Sequence, residues 1–293
     1  ASRTHLLNMK YPDNYLKQYH IDGAVNTDTH PCFVDSNSYP NFQEDLHTFK
    51  DLLLGAVQNG SKPLTFYKFG DGDFYFLKQI STGSAGVGNR ALSKDYSDIK
   101  HEEFTSGAKL CDYYTCELYE QNRNHFKEVI QDSIDFPAEF GYGLVSNKWL
   151  LKTFSGNIGL IGGKEKIDLI QALMQSTEYQ EYLGLEKFQD YITIPQKFAC
   201  DNIDETEKLV AEQLKDSTSK IFLLGIGHVK SGLLHRLPKH KNAIYLDVGS
   251  AIDALCGVID PDRPYFGAWT NYQIENYDYS NIDLLQYGWN GNI

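Results

Sequence analysis

Two aspartates separated by glycine carry the clearest chemical potential of this sequence: Asp71 and Asp73 stand in the run Gly70-Asp71-Gly72-Asp73. Carboxylate oxygens are preferred ligands of Mg²⁺ and Mn²⁺, and such ions neutralise the charge of a leaving diphosphate. The flanking glycines would let a phosphate approach the backbone closely, so Gly70 is a candidate substrate contact. We predict an Mn²⁺ or Mg²⁺ site at Asp71 and Asp73; a solvated turn is the alternative.

A second glycine turn, Gly225-Ile226-Gly227-His228, follows an apolar run and precedes a predicted helix. Backbone N–H groups at a helix start favour a phosphate, so Gly225 and Gly227 are candidate substrate contacts. His228 is a candidate for binding phosphate, for donating a proton to the leaving group, or for capping the helix. The dinucleotide fingerprint requires a glycine at position 230, where this sequence has Lys230. A tight packing turn is the alternative interpretation.

Further polar residues extend this set of candidates. Asn89 and Arg90 end a glycine-rich stretch, and the guanidinium of an arginine suits bidentate phosphate binding, although a plain surface loop has the same composition.

A third polar segment runs from Asp247 to Asp253. Asp247 is a candidate acceptor for a ribose or sugar hydroxyl, and Ser250 is a further candidate substrate contact. Asp253 is the candidate general base, with Asp201 as its rival. Alternatively, Ser250 caps a helix and Asp253 completes a capping box.

These candidates lie at the ends of predicted strands. Short apolar runs at 64–69, 158–161, 191–194, 221–224 and 243–246 alternate with amphipathic helices, a pattern that predicts an α/β fold with a Rossmann-like, mainly parallel sheet and helices on both faces. Ligands of such sheets bind beyond the carboxyl ends of the strands. The strand exits at 70–73, 225–228 and 247–250 should therefore share one edge.

Other segments are predicted with less regular patterns. We expect helix over 41–59 and over most of 97–134, and a short buried strand at Leu144 and Val145. Residues 1–40 are predicted to form an irregular N-terminal arm or cap, and residues 41–293 a single Rossmann-like catalytic domain with an irregular C-terminal tail.

Taken together, these motifs resemble the GT-D fold glycosyltransferases. Residues 67–73 are similar to that family's arginine-phenylalanine-glycine-aspartate-glycine-glutamate signature, with Lys68 in place of the arginine and Asp73 in place of the glutamate. Blocks at 158–163, 194–195, 223–228 and 245–250 follow in the same order. The resemblance implies a Rossmann-like sheet, a UDP-sugar donor, Mn²⁺ or Mg²⁺, and a glycan acceptor, with Lys68 at the donor diphosphate.

Composition limits the classes of partner. The 293 residues carry a formal net charge of −12, which disfavours nucleic acid as a partner. The five cysteines match no metal or disulfide pattern, and neither a signal peptide nor a membrane span is recognisable, so we expect a cytoplasmic protein. The sequence does not specify the oligomeric state.

The function predicted from these observations is metal-assisted transfer of a sugar from a nucleotide-diphosphate sugar to a glycan. A Rossmann-type S-adenosylmethionine-dependent methyltransferase and a non-catalytic glycan-binding module remain the alternatives. Metal-free binding of the methyl donor would indicate the first alternative, and ligand binding that survives loss of Asp73 would indicate the second.

Overall fold

A computed structural model describes residues 41–60, 62–79, 100–117 and 120–257. The predicted arm at 1–40, the glycine-rich stretch with Asn89 and Arg90, and the tail from 258 lie outside the described residues. Within the described part, no helix is long and apolar enough to cross a membrane.

One seven-stranded sheet organises the described chain, and all six strand pairings are parallel. In chain order the strands are β1 Leu64–Phe69, β2 Tyr113–Cys116, β3 Phe136–Pro137, β4 Ile158–Gly163, β5 Tyr191–Ile194, β6 Ile221–Gly225 and β7 Ile244–Asp247. In space their order is β3-β2-β1-β7-β6-β4-β5. The predicted α/β fold with a parallel sheet is confirmed.

Helices connect these strands. They are α1 Phe42–Asn59, α2 Asp71–Leu77, α3 His101–Gly107, α4 Glu120–Val129, α5 Ala138–Ser146, α6 Trp149–Thr153, α7 Lys164–Leu173, α8 Thr177–Leu183, α9 Ile203–Leu214, α10 Lys230–Leu233 and α11 Ala251–Leu255. Two 3₁₀ segments, Gly227–Val229 and Leu234–Lys239, flank α10.

The sheet is buried on both faces, as the apolar strands predict. Side chains alternate along β1, so that Phe66 belongs to one core cluster and Tyr67 to the other. The first cluster includes side chains of α1, α5, α7 and α11, and the second includes side chains of α2, α3 and α9. Helices therefore cover both faces of a fully parallel sheet.

Helix α1 follows its sequence pattern. Leu46, Phe49, Leu53 and Val57 are buried along one face, and Gly60 ends the helix in the left-handed conformation at φ 57°. Its N–H donates to the carbonyl of Ala56, as at many glycine-terminated helices.

Two predicted elements were wrong. The stretch 97–134 is not continuously helical, because β2 interrupts it and pairs with β1 from Phe66↔Tyr113 to Phe69↔Cys116. Its residues Tyr-Tyr-Thr favour a strand, and this preference prevails over the helical flanks.

Leu144 and Val145 lie in α5, not in a strand. Every residue of α5 is buried, and hydrophobic periodicity does not distinguish a fully buried helix from a buried strand.

The topology places three predicted polar turns side by side. β7 lies between β1 and β6, and all three strands run in the same direction. Their carboxyl ends therefore deliver residues 70–73, 225–228 and 247–250 to one edge of the sheet, as the sequence predicts.

Candidate functional site

The three turns touch one another through glycines. A Cβ built on Gly225 would lie 2.8 Å from the carbonyl oxygen of Gly249, and one built on Gly249 would lie 2.4 Å from Cε of Lys68. Gly249 has a φ of 53°, a conformation that side chains disfavour. Glycine is thus required here both for close packing and for the backbone turn.

Lys68 is the penultimate residue of β1 and points towards these glycines. Its side chain is 8% exposed, and its Nζ lies 5.4 Å from the centre of the Tyr142 ring. The same Nζ would lie 3.3 Å from a Cβ on Gly70 and 3.2 Å from a Cβ on Gly249. A cation therefore stands directly beside the glycine turns that follow β1 and β7.

Asp73 is buried in the first turn of α2, and each of its oxygens has a partner. Oδ1 accepts a hydrogen bond from the Tyr67 hydroxyl at 3.0 Å, and Oδ2 accepts one from the N–H of Gly70 at 2.6 Å. The ammonium of Lys230 lies 3.1 Å from Oδ2. Asp73 therefore caps α2 and neutralises a buried lysine.

Electrostatics keeps Asp73 ionised. Burial alone would raise the pKa of this carboxyl, but Lys230, His228 and the N–H of Gly70 lower it below its ordinary value. The pKa of the Tyr67 hydroxyl is raised well above its ordinary value, first by burial and then by Asp73, so Tyr67 stays a hydrogen-bond donor.

Asp247 ends β7 and joins the same network. Its Oδ2 accepts the N–H of Lys68 at 3.0 Å and lies 3.1 Å from Nζ of Lys230, while its Oδ1 accepts the N–H of Gly249 at 3.1 Å. The side chain that we predicted to bind a hydroxyl thus orients the β1 exit and the β7 turn.

Lys230 is a residue of this network that the sequence did not single out as functional. Its ammonium is buried between Asp73 and Asp247 and also donates to the carbonyl oxygen of Lys68. Burial would lower the pKa of Lys230, but Asp247 and Asp73 raise it above its ordinary value. The available signal was its position in the first helical turn after Gly225-Ile226-Gly227-His228.

His228 lies beside this network. Its ring stacks on Phe76 with centroids 4.7 Å apart and planes 3° apart, and its Nδ1 lies 4.0 Å from Oδ1 of Asp73. Phe76 therefore fixes the plane of the imidazole at the edge where a ligand would bind.

Asp253 lies on α11 and forms a buried ion pair with Lys166 of α7, with 2.6 Å between Oδ1 and Nζ. Ser250 precedes α11, but its side chain makes no capping hydrogen bond. The predicted alternative of a Ser250–Asp253 capping box was therefore wrong, because the Asp253 carboxylate pairs with the α7 lysine.

Asp201 lies between β5 and α9, where its N–H donates to the carbonyl of Phe198 at 3.0 Å. β5 is the outermost strand, and β4 and β6 separate it from β7. The structure therefore places Asp201 at the same edge of the sheet but away from the three central turns.

Of the two predicted metal ligands, the structure describes the side chain of Asp73. Among the side chains of the described residues, no group of three His, Cys, Asp or Glu could hold a metal ion. Asp73 is engaged with Tyr67, Gly70 and Lys230, so this carboxylate does not fit a metal centre as placed. The side chain of Asp71 lies outside the description, and a metal at Asp71 stays a prediction.

Four cysteines in the described part, Cys111, Cys116, Cys200 and Cys256, are free thiols. Burial, first among the causes, raises the pKa of Cys111 to about 12 and raises that of Cys116 well above its ordinary value. The thiols of Cys111 and Cys116 are therefore poor nucleophiles at neutral pH.

No protein-family model and no curated protein matches the chain. Two solved structures are similar to it in fold. A selenomethionine-substituted structure of domain of unknown function 1792 (DUF1792) has 13% identity and a TM-score of 0.42, covering 69% of this chain and 76% of the other. A new glycosyltransferase (DUF1792) from Streptococcus sanguinis has 12% identity and a TM-score of 0.44, covering 70% and 81%. A similarity of this size carries no argument about function.

Proposed function

We propose that this chain is a glycosyltransferase that transfers a sugar from a nucleotide-diphosphate sugar to a glycan acceptor, with a UDP-sugar as the donor that the sequence resemblance implies. The observation that carries the proposal is the Lys68 ammonium beside the glycine turns at the carboxyl ends of β1 and β7. Ligands of parallel α/β sheets bind at this edge.

The chemistry of this edge suits a diphosphate. The protein has a net charge of −12, so an anionic donor needs a local positive field. Lys68 supplies one fixed cation, and its ammonium lies beside the glycines at 70 and 249. Negative charge grows on the diphosphate as the sugar leaves, and cations placed beforehand stabilise that charge.

His228 is the proposed proton donor or phosphate contact of the leaving group. Its imidazole is held against Phe76 and is a tenth exposed, so it is oriented without being sealed from a ligand. An imidazole changes protonation near neutral pH, which suits either role.

The general base remains a choice between the two predicted aspartates. Asp253 would have to leave its buried ion pair with Lys166 before accepting a proton from an acceptor hydroxyl. Asp201 is partly exposed at the outer part of the same edge. The choice between Asp253 and Asp201 therefore stays a prediction.

The roles proposed for Lys68 and His228 do not depend on a metal ion. Mn²⁺ or Mg²⁺ at Asp71 remains part of it as a prediction, and the ion would contribute charge neutralisation at the diphosphate. The residues that the structure describes supply cationic charge of their own.

Nucleotide binding by Lys68→Ala tests the proposal. We expect UDP to raise the melting temperature of the native chain, and we expect Lys68→Ala to weaken UDP binding about tenfold or more, because it removes a charge-assisted hydrogen bond. Lys215→Ala is the matched control, since Lys215 is exposed at the far end of α9, away from the strand exits.

Calorimetry and a nucleotide-sugar hydrolysis assay with and without Mn²⁺ provide the measurements. Absence of any UDP-induced shift together with absence of donor hydrolysis would refute the proposal. Stabilisation by S-adenosylmethionine instead of UDP would indicate the methyltransferase alternative.

A further inference from the structure

Three oxygen atoms from three separate segments converge on one nitrogen. Nζ of Lys230 lies 3.1 Å from Oδ2 of Asp73 and 3.1 Å from Oδ2 of Asp247, and it donates to the carbonyl oxygen of Lys68. The side chains of Lys230, Asp73 and Asp247 are all less than a tenth exposed. This is a buried oxygen site with an ammonium at its centre.

The oxygens are those that a hard divalent cation would use. Two carboxylates and one backbone carbonyl suit Mg²⁺ or Mn²⁺ in chemical type. Two buried carboxylates this close to each other also require a cation, because their mutual repulsion and lost hydration would otherwise disfavour the charged forms. Lys230 meets that requirement from within the chain.

These contacts occupy every N–H donor of the Lys230 ammonium. A lysine has three N–H donors, and Asp73, Asp247 and the Lys68 carbonyl provide three acceptors. Nζ also lies 4.8 Å from the centre of the Tyr67 ring, which closes one side. Lys230 therefore acts on its neighbours and does not reach a bound phosphate.

We propose that Lys230 is the resident cation of this site, occupying the place of a divalent ion between Asp73 and Asp247, so that these two carboxylates bind no divalent metal in the native chain. Lys230 is then a positioning residue. Through Asp247 it orients the N–H groups of Lys68 and Gly249. The inference concerns the edge assigned to the donor in the proposed function, but its primary test uses the metal alone.

Mn²⁺ binding by the full chain tests the inference, with electron paramagnetic resonance of free Mn²⁺ as the measurement. We expect native protein and Asp247→Asn to bind Mn²⁺ equally, with any shared binding located elsewhere, for example at Asp71. We expect Lys230→Ala to gain a Mn²⁺ site at least about tenfold tighter, because three oxygens lose their ammonium. The double variant Lys230→Ala/Asp247→Asn should lose that site.

Loss of native Mn²⁺ binding on Asp247→Asn or Asp73→Asn would overturn the inference, and so would a folded Lys230→Ala variant that gains no site. Lys230→Ala that folds only when Mn²⁺ is added would support it. If Lys230→Ala does not fold with or without Mn²⁺, the inference is tested by Mn²⁺ binding to native protein and to Asp247→Asn, because both proteins keep Lys230.

Rescue separates positioning from simple structural support. We expect Mn²⁺ to restore the UDP affinity of Lys230→Ala to within about threefold of the native value, because a cation in the same place reorients Asp247. Mn²⁺ that binds without restoring UDP affinity would overturn the positioning role. A native protein that does not bind UDP would refute the proposed function and leave the Mn²⁺ result standing.

Discussion

Lys166 and Asp253 show how this protein places charge in its interior. Their side chains are 5% and 8% exposed, and their charged atoms lie 2.6 Å apart between α7 and α11. A buried pair contributes little net stability relative to apolar residues, but removal of one partner leaves an uncompensated buried charge. The pair therefore fixes α11, and with it the Gly249 turn, more than it strengthens the core.

Lys166→Met tests this interpretation. We expect a loss of about 3–5 kcal/mol in the free energy of unfolding, because the Asp253 carboxylate remains buried without its cation. Urea unfolding measures the loss. Lys164→Met on the same helix is the control, since its pair with Asp168 is more than half exposed; its cost should stay below about 1 kcal/mol.

The double variant Lys166→Met/Asp253→Asn should recover a large part of the loss, since it removes both charges. Equal stability of Lys166→Met and the native chain would show that the pair does not constrain α11.

At the scale of elements, the site depends on turns whose conformation is set by contacts between neighbouring strands. The β7 turn is held to β6 by N–H groups of Val248 and Gly249 that donate to the carbonyl of Leu224, at 3.0 Å and 3.2 Å. The same turn contacts Lys68, the penultimate residue of β1. Its conformation therefore sets the position of the cation that we assign to the donor.

Gly249→Ala tests the dependence of Lys68 on this turn. The added Cβ would meet Cε of Lys68 at 2.4 Å, so we expect about tenfold weaker UDP binding as well as a stability loss of about 1–2 kcal/mol from the left-handed backbone. Gly60→Ala is the control, because Gly60 has a φ of 57° and no atom within 4 Å of an added Cβ.

Calorimetry with UDP and thermal melting provide the two measurements. Similar UDP affinity in both alanine variants would mean that Lys68 does not depend on the Gly249 turn.

Much of this architecture could be predicted from local sequence. β1, β4, β5, β6 and β7 were visible as short apolar runs, and the three polar exits followed from parallel topology. Lys230 was not recognisable as functional, because its partners are not its neighbours in sequence. Asp73 lies in the helix that follows β1, and Asp247 ends β7. Likewise, the Asp253 partner Lys166 is one of many lysines on amphipathic helices, and only the packing of α7 against α11 identifies it.

At the scale of the whole molecule, stability in acid should depend on one carboxylate beside a cationic segment. Glu207 of α9 contacts Arg236 at 2.8 Å and both Lys239 and His240 at 2.7 Å. Burial would raise the pKa of Glu207, but these partners lower it to about 2. A carboxyl whose pKa is lower in the folded than in the unfolded protein stabilises the fold at pH values above its unfolded pKa. The contribution of Glu207 is therefore lost as the pH falls from about 4.5 towards 2.

Glu207→Gln should therefore lower the free energy of unfolding by about 1–2 kcal/mol near neutral pH and by less near pH 3. Urea unfolding at the two pH values measures the difference. Glu205→Gln, an exposed substitution on the same helix, is the control. A deficit that does not shrink in acid would show that Glu207 does not act through its charge.

The pairing of β1, an interior strand of the sheet, with β7 has a consequence for the order in which the strands can assemble. Leu64 pairs with Ile244, so the first described strand must wait for the last described strand before its second edge is covered. Until then, Asp247 is missing beside both Lys68 and Lys230. The nascent chain therefore carries an open strand edge while residues 70–243 are synthesised, the interval in which a chaperone would have the most to protect.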